Sequence, residues 1–269
     1  METRRKIAVA GATGRVGRHV VDVLEANGHE VVAMSRSSGV DVVTGEGLAE
    51  ALEGMEAVVD AATRNSPDQE AATRFFSASA RNLQEAAEAA GVRQIVLVSI
   101  IGIDRFSGGY NAAKLAQERA LMSGPVPVRV LRAAQFHEFV EQIVEWGRQG
   151  DVSQLPNWRT QLVSARTVGQ ALAALATGPE PRRGAEPILE IAGPREERLA
   201  EAASLLMAAK GDQVRIEVAT DTSPDAALYE AGALLPGPDA VLAGPTFEQW
   251  LESAGDLDQL AGPPAVPSR

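Results

Sequence analysis

A chain of 269 residues is long enough for one large α/β domain, or for a nucleotide-sized domain carrying a smaller lobe, and short for two full-sized domains. Hydrophobic residues at 45% supply ample material for a core, while a formal charge of -11 argues against a surface built for phosphate backbones or anionic lipid. The lack of cysteine excludes disulfides, thiolate nucleophiles and Cys-ligated metal, and three scattered histidines offer no metal spacing. No apolar run reaches the ~18 residues that span a bilayer, and Met1 to Lys6 lead straight into a short strand. A cytoplasmic protein without nucleic-acid or membrane partners is expected.

The first two thirds alternate β-rich runs with helical segments, the pattern of βαβ units on a parallel sheet. Strands are predicted at Ile7–Ala10, Val31–Met34, Val40–Val43, Ala57–Ala61, Gln94–Val98 and Val128–Leu131. Helices are predicted near Val16–Asn27, Leu48–Leu52, Gln69–Ala90 and Ala112–Met122. Gly28 and Gly91 suit the left-handed position that ends a helix, and Pro67-Asp68 suits the start of one. Beyond Arg132 the alternation loosens, with helices near Glu138–Arg148 and Thr167–Ala176, a turn at Leu155-Pro156-Asn157 and a loop over Gly178–Pro187. A strand at Ile188–Ala192, a helix at Arg198–Lys210, a strand at Val214–Val218 and helices near Asp225–Leu234 and Phe247–Ser253 follow.

One turn gives this pattern a chemical meaning. Gly11-Ala12-Thr13-Gly14-Arg15-Val16-Gly17 follows an apolar strand and opens an amphipathic helix, the context of a pyrophosphate-binding turn. Glycine serves the tight turn at Gly11, close approach of a phosphate at Gly14 and helix-to-strand packing at Gly17, where helix-end N–H groups face the anion. The expected fold is a Rossmann-type, doubly wound parallel sheet over 1–135, with a small C-terminal substrate-facing lobe over 136–255, partly interleaved with it, and a disordered tail over 256–269. NAD-specific sites place a carboxylate about 20 residues past the turn. Here the second strand ends in Ser35-Arg36, and an arginine flanked by hydroxyls suits a 2′-phosphate, so NADP(H) is expected over NAD(H). Asp41 and Val42 read equally as an adenine contact or an ordinary strand edge.

Tyr110 and Lys114 are four residues apart and share one face of a helix. An ammonium ~4 Å from the phenol in a shielded site is worth up to about 4 kcal/mol, enough to draw a tyrosine pKa from about 10 toward neutrality. Such a tyrosine can protonate a carbonyl that accepts hydride. Ser99, just past an apolar strand, stands where open α/β sheets bind ligands and is expected to orient that carbonyl. Gln135, Phe136 and His137 follow the sixth strand and are expected to line a substrate cleft, a packing role for Phe136 being equally open. His19 and His29 are expected in solvent.

With the glycine turn, Ser99, and Tyr110 through Lys114 in this order, the chain resembles the short-chain dehydrogenase/reductase superfamily, in particular its atypical NAD(P)-binding branch of isoflavone-reductase-like and NmrA-like proteins. The likeness runs over roughly residues 5 to 255 and includes Ala61-Ala62-Thr63 and Val130 to Phe136. The resemblance implies that Ser35 and Arg36 meet the adenosine 2′-phosphate, Asp41 and Val42 the adenine, Ala61 to Thr63 the middle of the cofactor, and Lys114 the nicotinamide ribose. Only eleven positions separate Ser99 from Tyr110, with Gly102 and Gly108-Gly109 between them, a departure from the usual Ser–Tyr arrangement. The expected activity is NADPH-dependent hydride transfer to a small ketone, quinone or enone. The alternatives are a catalytically silent NADP(H) sensor and, third, a nucleotide-sugar epimerase or dehydratase. A small-molecule substrate is the expected partner, and a homodimer is compatible with this reading.

Overall fold

In the computed structural model, which describes residues 4–64, 68–180, 187–220 and 223–253, the apolar runs of the first half become strands of one sheet. In chain order, β1 is Lys6–Ala10, α1 Gly17–Ala26, β2 Glu30–Met34, α2 Leu48–Leu52, β3 Ala57–Asp60, α3 Gln69–Ala89, β4 Gln94–Ile100, α4 Gly109–Met122 and β5 Val128–Ala133. Then come α5 Phe139–Gly147, β6 Arg148–Gln149, β7 Val152–Pro156, β8 Arg159–Thr160, α6 Ala165–Thr177 and β9 Ile188–Ala192. The remaining elements are β10 Glu197–Arg198, α7 Leu199–Lys210, β11 Arg215–Ala219, α8 Ala226–Glu230, β12 Val241–Leu242 and α9 Phe247–Ser253.

The main sheet has the order β12-β9-β5-β4-β3-β1-β2, and every pairing from β2 across to β9 is parallel. Because β2 lies on one side of β1 while β3, β4 and β5 build outward on the other, the winding reverses between β1 and β3. Open α/β sheets bind ligands at the carboxyl ends of the strands beside such a reversal. Side chains alternate across the sheet: Ala8, Val58, Ile95, Leu97 and Val130 join a core with α2, α3 and α4. Their neighbours Val9, Val59 and Val96 are equally buried and point the other way, toward the face where α1 packs against α6.

The chain divides into two compact units. One takes the chain up to Ala133, Ala165–Ile191 and Pro236–Val241; the other takes Ala134–Ser164, Ala192–Leu235 and the chain from Leu242 on. Residues 165–191 return to the main sheet because β9 extends it in register with β5, Val130 opposite Ile188. The second unit has its own core, in which Val140, Ile143 and Val144 of α5 meet Leu155, Leu199, Leu206, Val214 and Phe247. Its sheet, ordered β11-β7-β6, joins β7 and β11 in parallel.

The strand expected at Val40–Val43 does not form. The Asp41 carboxylate accepts the N–H of Val43 at 2.7 Å and of Thr44 at 3.4 Å, curling the segment into a side-chain-capped turn, while Asn82 of α3 donates to the Val42 and Val43 carbonyls. Conversely β7 carries no strong apolar alternation, since its Ser153 is buried by donating to the Val144 carbonyl at 2.7 Å. His29 is buried rather than solvated, its Nδ1 accepting the Arg5 N–H at 3.2 Å. Asp68 caps α3 as expected, accepting from Glu70 and Ala71. The tail over 256–269, Pro67 and most of the loop expected at Gly178–Pro187 lie outside the described residues. No helix among those residues is long and apolar enough to cross a membrane.

Candidate functional site

The turn after β1 lies beside the reversal. Gly11 takes φ +71°, and its backbone N–H and that of Ala12 donate to the Met34 carbonyl that ends β2. A Cβ on Gly11 would stand 2.6 Å from the Ala61 carbonyl oxygen, and one on Gly17 would stand 2.1 Å from the Gly11 oxygen. These two glycines are thus required by the protein's own backbone, which pins the turn against the exit of β3. Gly14 differs: a Cβ there would meet only the Gly11 oxygen, at 3.1 Å. Helix α1 begins after Val16 with no side-chain cap and no acidic residue in its first turn, so its N-terminal end keeps its partial positive charge for an outside anion. A glycine cradle below an uncapped helix fits the pyrophosphate of a dinucleotide.

Past β2, Ser35 caps a single 3-10 turn at Arg36–Ser38, its hydroxyl lying 2.8 Å from that of Ser37. Arg36 projects from this turn, exposed, with no carboxylate in the turn to neutralise it. Asp41 is engaged by its own loop, and Val42 is half-buried against the α2–α4 core.

At the exit of β3, Thr63 Oγ1 and the Tyr110 hydroxyl are hydrogen-bonded at 2.7 Å. Tyr110, in the first turn of α4, packs edge-on against Phe76, and Lys114 lies one turn further along the same helix face. Lys114 is almost wholly buried: its ammonium donates to Gln117 Oε1 at 2.7 Å and lies 4.8 Å from the centre of the Phe76 ring. Gln117 Nε2 in turn donates to Asp60 Oδ2 at 2.8 Å, and Asp60 Oδ1 accepts the Ala62 N–H at 3.0 Å. Next to this chain, Glu118 is held by both Arg132 Nε and Nη2, at 3.0 and 2.8 Å, while Arg132 Nη1 reaches Asp104 at 3.0 Å.

These contacts correct the expected electrostatics. The Lys114 ammonium is bound by Gln117 and not by the phenol, and burial pushes the Tyr110 pKa above its ordinary value, opposed only by the Thr63 hydrogen bond. Burial likewise lowers Lys114 to about 8 against the pull of Asp60 and Glu118, and raises Asp60 against the pull of Lys114. Tyr110 is therefore a protonated phenol at neutral pH.

The family described as NAD(P)H-binding matches residues 11–179, from the glycine turn through α6. The chain belongs to that family. This NAD(P)H-binding protein is 32% identical over 110 residues to the photosystem II assembly factor Ycf39 of Synechocystis, a match covering 36% of this chain and 34% of that protein. Among solved structures it is similar to the NADPH complex of the quinone oxidoreductase QOR2 from Escherichia coli, with a TM-score of 0.63 and 20% identity over 92% of this chain and 99% of that one. It is similar, too, to a short-chain dehydrogenase/reductase superfamily protein from Agrobacterium tumefaciens with bound NAD, at a TM-score of 0.67 and 18% identity over 94% of this chain and 97% of that one. Sugar-nucleotide epimerases and dehydratases share the fold at similar identity.

Two expectations fail in the NAD(P)H-binding protein. β4 continues to Ile100, so Ser99 lies inside the strand opposite Arg132 and not just past it; its hydroxyl is buried with no hydrogen-bond partner among the described residues. His137 belongs to the core of the second unit, fully buried against Phe247 and Trp250 with ring centres 5.3 and 5.1 Å away. Beside it, Gln135 accepts the Thr160 hydroxyl at 2.6 Å, and Phe136 is half-buried and bridges to Val163. Sequence reasoning missed Asp60 and Gln117. A carboxylate closing the apolar run Ala57-Val58-Val59-Asp60 was the available signal, because such a residue is not buried unless partnered. Gln117, one turn past Lys114, gave none.

Proposed function

We propose that this protein is an NADP(H)-dependent reductase of a small ketone, quinone or enone. The observation that carries the reading is the convergence, at the reversal between β1 and β3, of the glycine cradle with the Thr63–Tyr110 pair and Lys114. NADP(H) is favoured over NAD(H) by the exposed Arg36 beyond β2, whose own turn carries no carboxylate. When bound, the cofactor supplies the hydride. The chain's own part is to hold the pyrophosphate on the α1 end, to offer the Lys114 ammonium to the nicotinamide ribose, and to pass the Tyr110 proton to the oxygen of the reduced carbonyl. Thr63, exposed and hydrogen-bonded to that phenol, is the group we assign to replacing the proton. A quinone is the best-suited of the three substrates, since its reduced oxygen demands least of a phenol whose pKa is raised.

The raised phenol and the inaccessible Ser99 also favour a second reading, a redox sensor that binds NADP(H) without turnover. Following NADPH oxidation against a panel of quinones, enones and ketones separates the two. A reductase oxidises NADPH with at least one class, and Tyr110→Phe then slows turnover of a ketone or enone by about 10²–10⁴-fold, and of a quinone by less, while NADPH affinity stays within a factor of about two. A protein that binds NADPH and oxidises none of it on any substrate is the sensor.

A further inference from the structure

We infer that Asp60 and Gln117 are positioning residues for Lys114, tethering its ammonium to the exit of β3 that also carries Thr63 and hence the Tyr110 hydroxyl. The inference rests on the reading of Tyr110 and Lys114 as the site's chemical pair. Asp60 and Gln117 are both fully shielded from solvent, and a buried carboxylate is retained only where its hydrogen bonds and charge are answered. Here the answers run in one line: the Ala62 N–H to Asp60 Oδ1, Gln117 Nε2 to Asp60 Oδ2, and Lys114 Nζ to Gln117 Oε1. The same carboxylate therefore fixes the backbone one residue before Thr63 and, through one amide, the ammonium one helical turn from Tyr110.

The amide is an informative spacer. A carboxylate bonded directly to the ammonium would neutralise and trap it. Through Gln117, Asp60 supplies the countercharge at a distance, and among the described residues two of the three Lys114 donors remain for a ribose hydroxyl. Of the other groups facing Lys114, only Glu118 adds to that countercharge, and by less than Asp60. Glu118 on α4 is taken by both arms of Arg132 from β5, which also holds Asp104, and the Tyr110 phenol and Phe76 ring are neutral.

The test uses the fact that the chain has three lysines, Lys6, Lys114 and Lys210, so the Lys114 side chain can be followed by carbon-13 NMR through a pH titration of the cofactor-free protein. Lys114 should titrate near 8 in the parent. Asp60→Asn, which keeps the shape and removes the charge, should lower that midpoint by about one unit or more; Gln117→Glu, which puts a carboxylate directly on the ammonium, should raise it by a similar amount. Shifts of opposite sign from two near-isosteric changes are not what a general loosening of the fold produces. Calorimetric titration with NADPH over the same pH range should show affinity falling as Lys114 loses its proton, so the fall begins at lower pH in Asp60→Asn. Midpoints that coincide in the parent and either folded variant would overturn the inference. Shifted midpoints with no NADPH bound at any pH would uphold the positioning of Lys114 and overturn the cofactor reading.

Discussion

A Cβ at Gly17 would stand 2.1 Å from the Gly11 carbonyl oxygen, while one at Gly14 would stand 3.1 Å from the same atom. The two glycines are three residues apart, and the difference predicts separate consequences for the same substitution. Gly17→Val places side-chain carbon inside backbone that cannot yield, so the turn and the start of α1 must separate, and the variant should unfold at markedly lower temperature than the parent. Gly14→Val asks the turn to give by tenths of an ångström but fills the space a pyrophosphate needs, so it should keep the parent's unfolding temperature and lose the stabilisation that NADPH confers. Thermal unfolding of both variants with and without NADPH checks this, and a Gly14→Val protein still stabilised by NADPH would move the phosphate site elsewhere. The glycine spacing and the Tyr110–Lys114 spacing were legible because both are local, set by a strand-to-helix turn and by one helical turn. The partners of Lys114 were not, because Asp60 comes from another element and its pairing depends on the packing of β3 against α4.

At the scale of elements, periodicity located the helices and the long strands well, and it failed where side-chain hydrogen bonds overrode it. Val40–Val43 has strand-like apolar residues, yet Asp41 captures the backbone N–H groups a strand would need. β7 is a strand despite its buried serine because β11 and β6 supply its backbone partners. The segment before α5 was misread for a related reason: a histidine after a strand end looks like a ligand contact, but α9 folds over His137 with Phe247 and Trp250. Burial lowers His137 to about 4, with the Leu162 carbonyl near enough to oppose the shift but not to close a hydrogen bond. The folded pKa lies below the unfolded value of about 6.5, so the unfolded chain gains this proton first as pH falls. The second unit should therefore be fully stable with respect to this group above pH ~6.5 and lose on the order of 3 kcal/mol as pH falls toward 4. His137→Phe should flatten that acid limb in the pH dependence of thermal unfolding; an unchanged limb would assign the loss to other groups.

For the molecule as a whole, the alternation of strands and helices disclosed the doubly wound sheet, and a partly interleaved lobe was expected, but which segment returns to the sheet was hidden. Nothing in chain order says that β9 pairs with β5 or that α6 packs with α1. The net charge of -11 bears on cofactor choice, because a strongly acidic chain repels an anionic cofactor unless local groups reverse the field. On the proposed reading the α1 end and Arg36 are the groups that do so. A single charge-assisted contact to the 2′-phosphate is worth about 1.5–3 kcal/mol, roughly a 10- to 150-fold preference. Calorimetric titration of the protein with NADPH and with NADH under the same conditions measures that preference directly. Tighter binding of NADPH by at least about tenfold is the predicted result; equal affinities, or tighter binding of NADH, would contradict it.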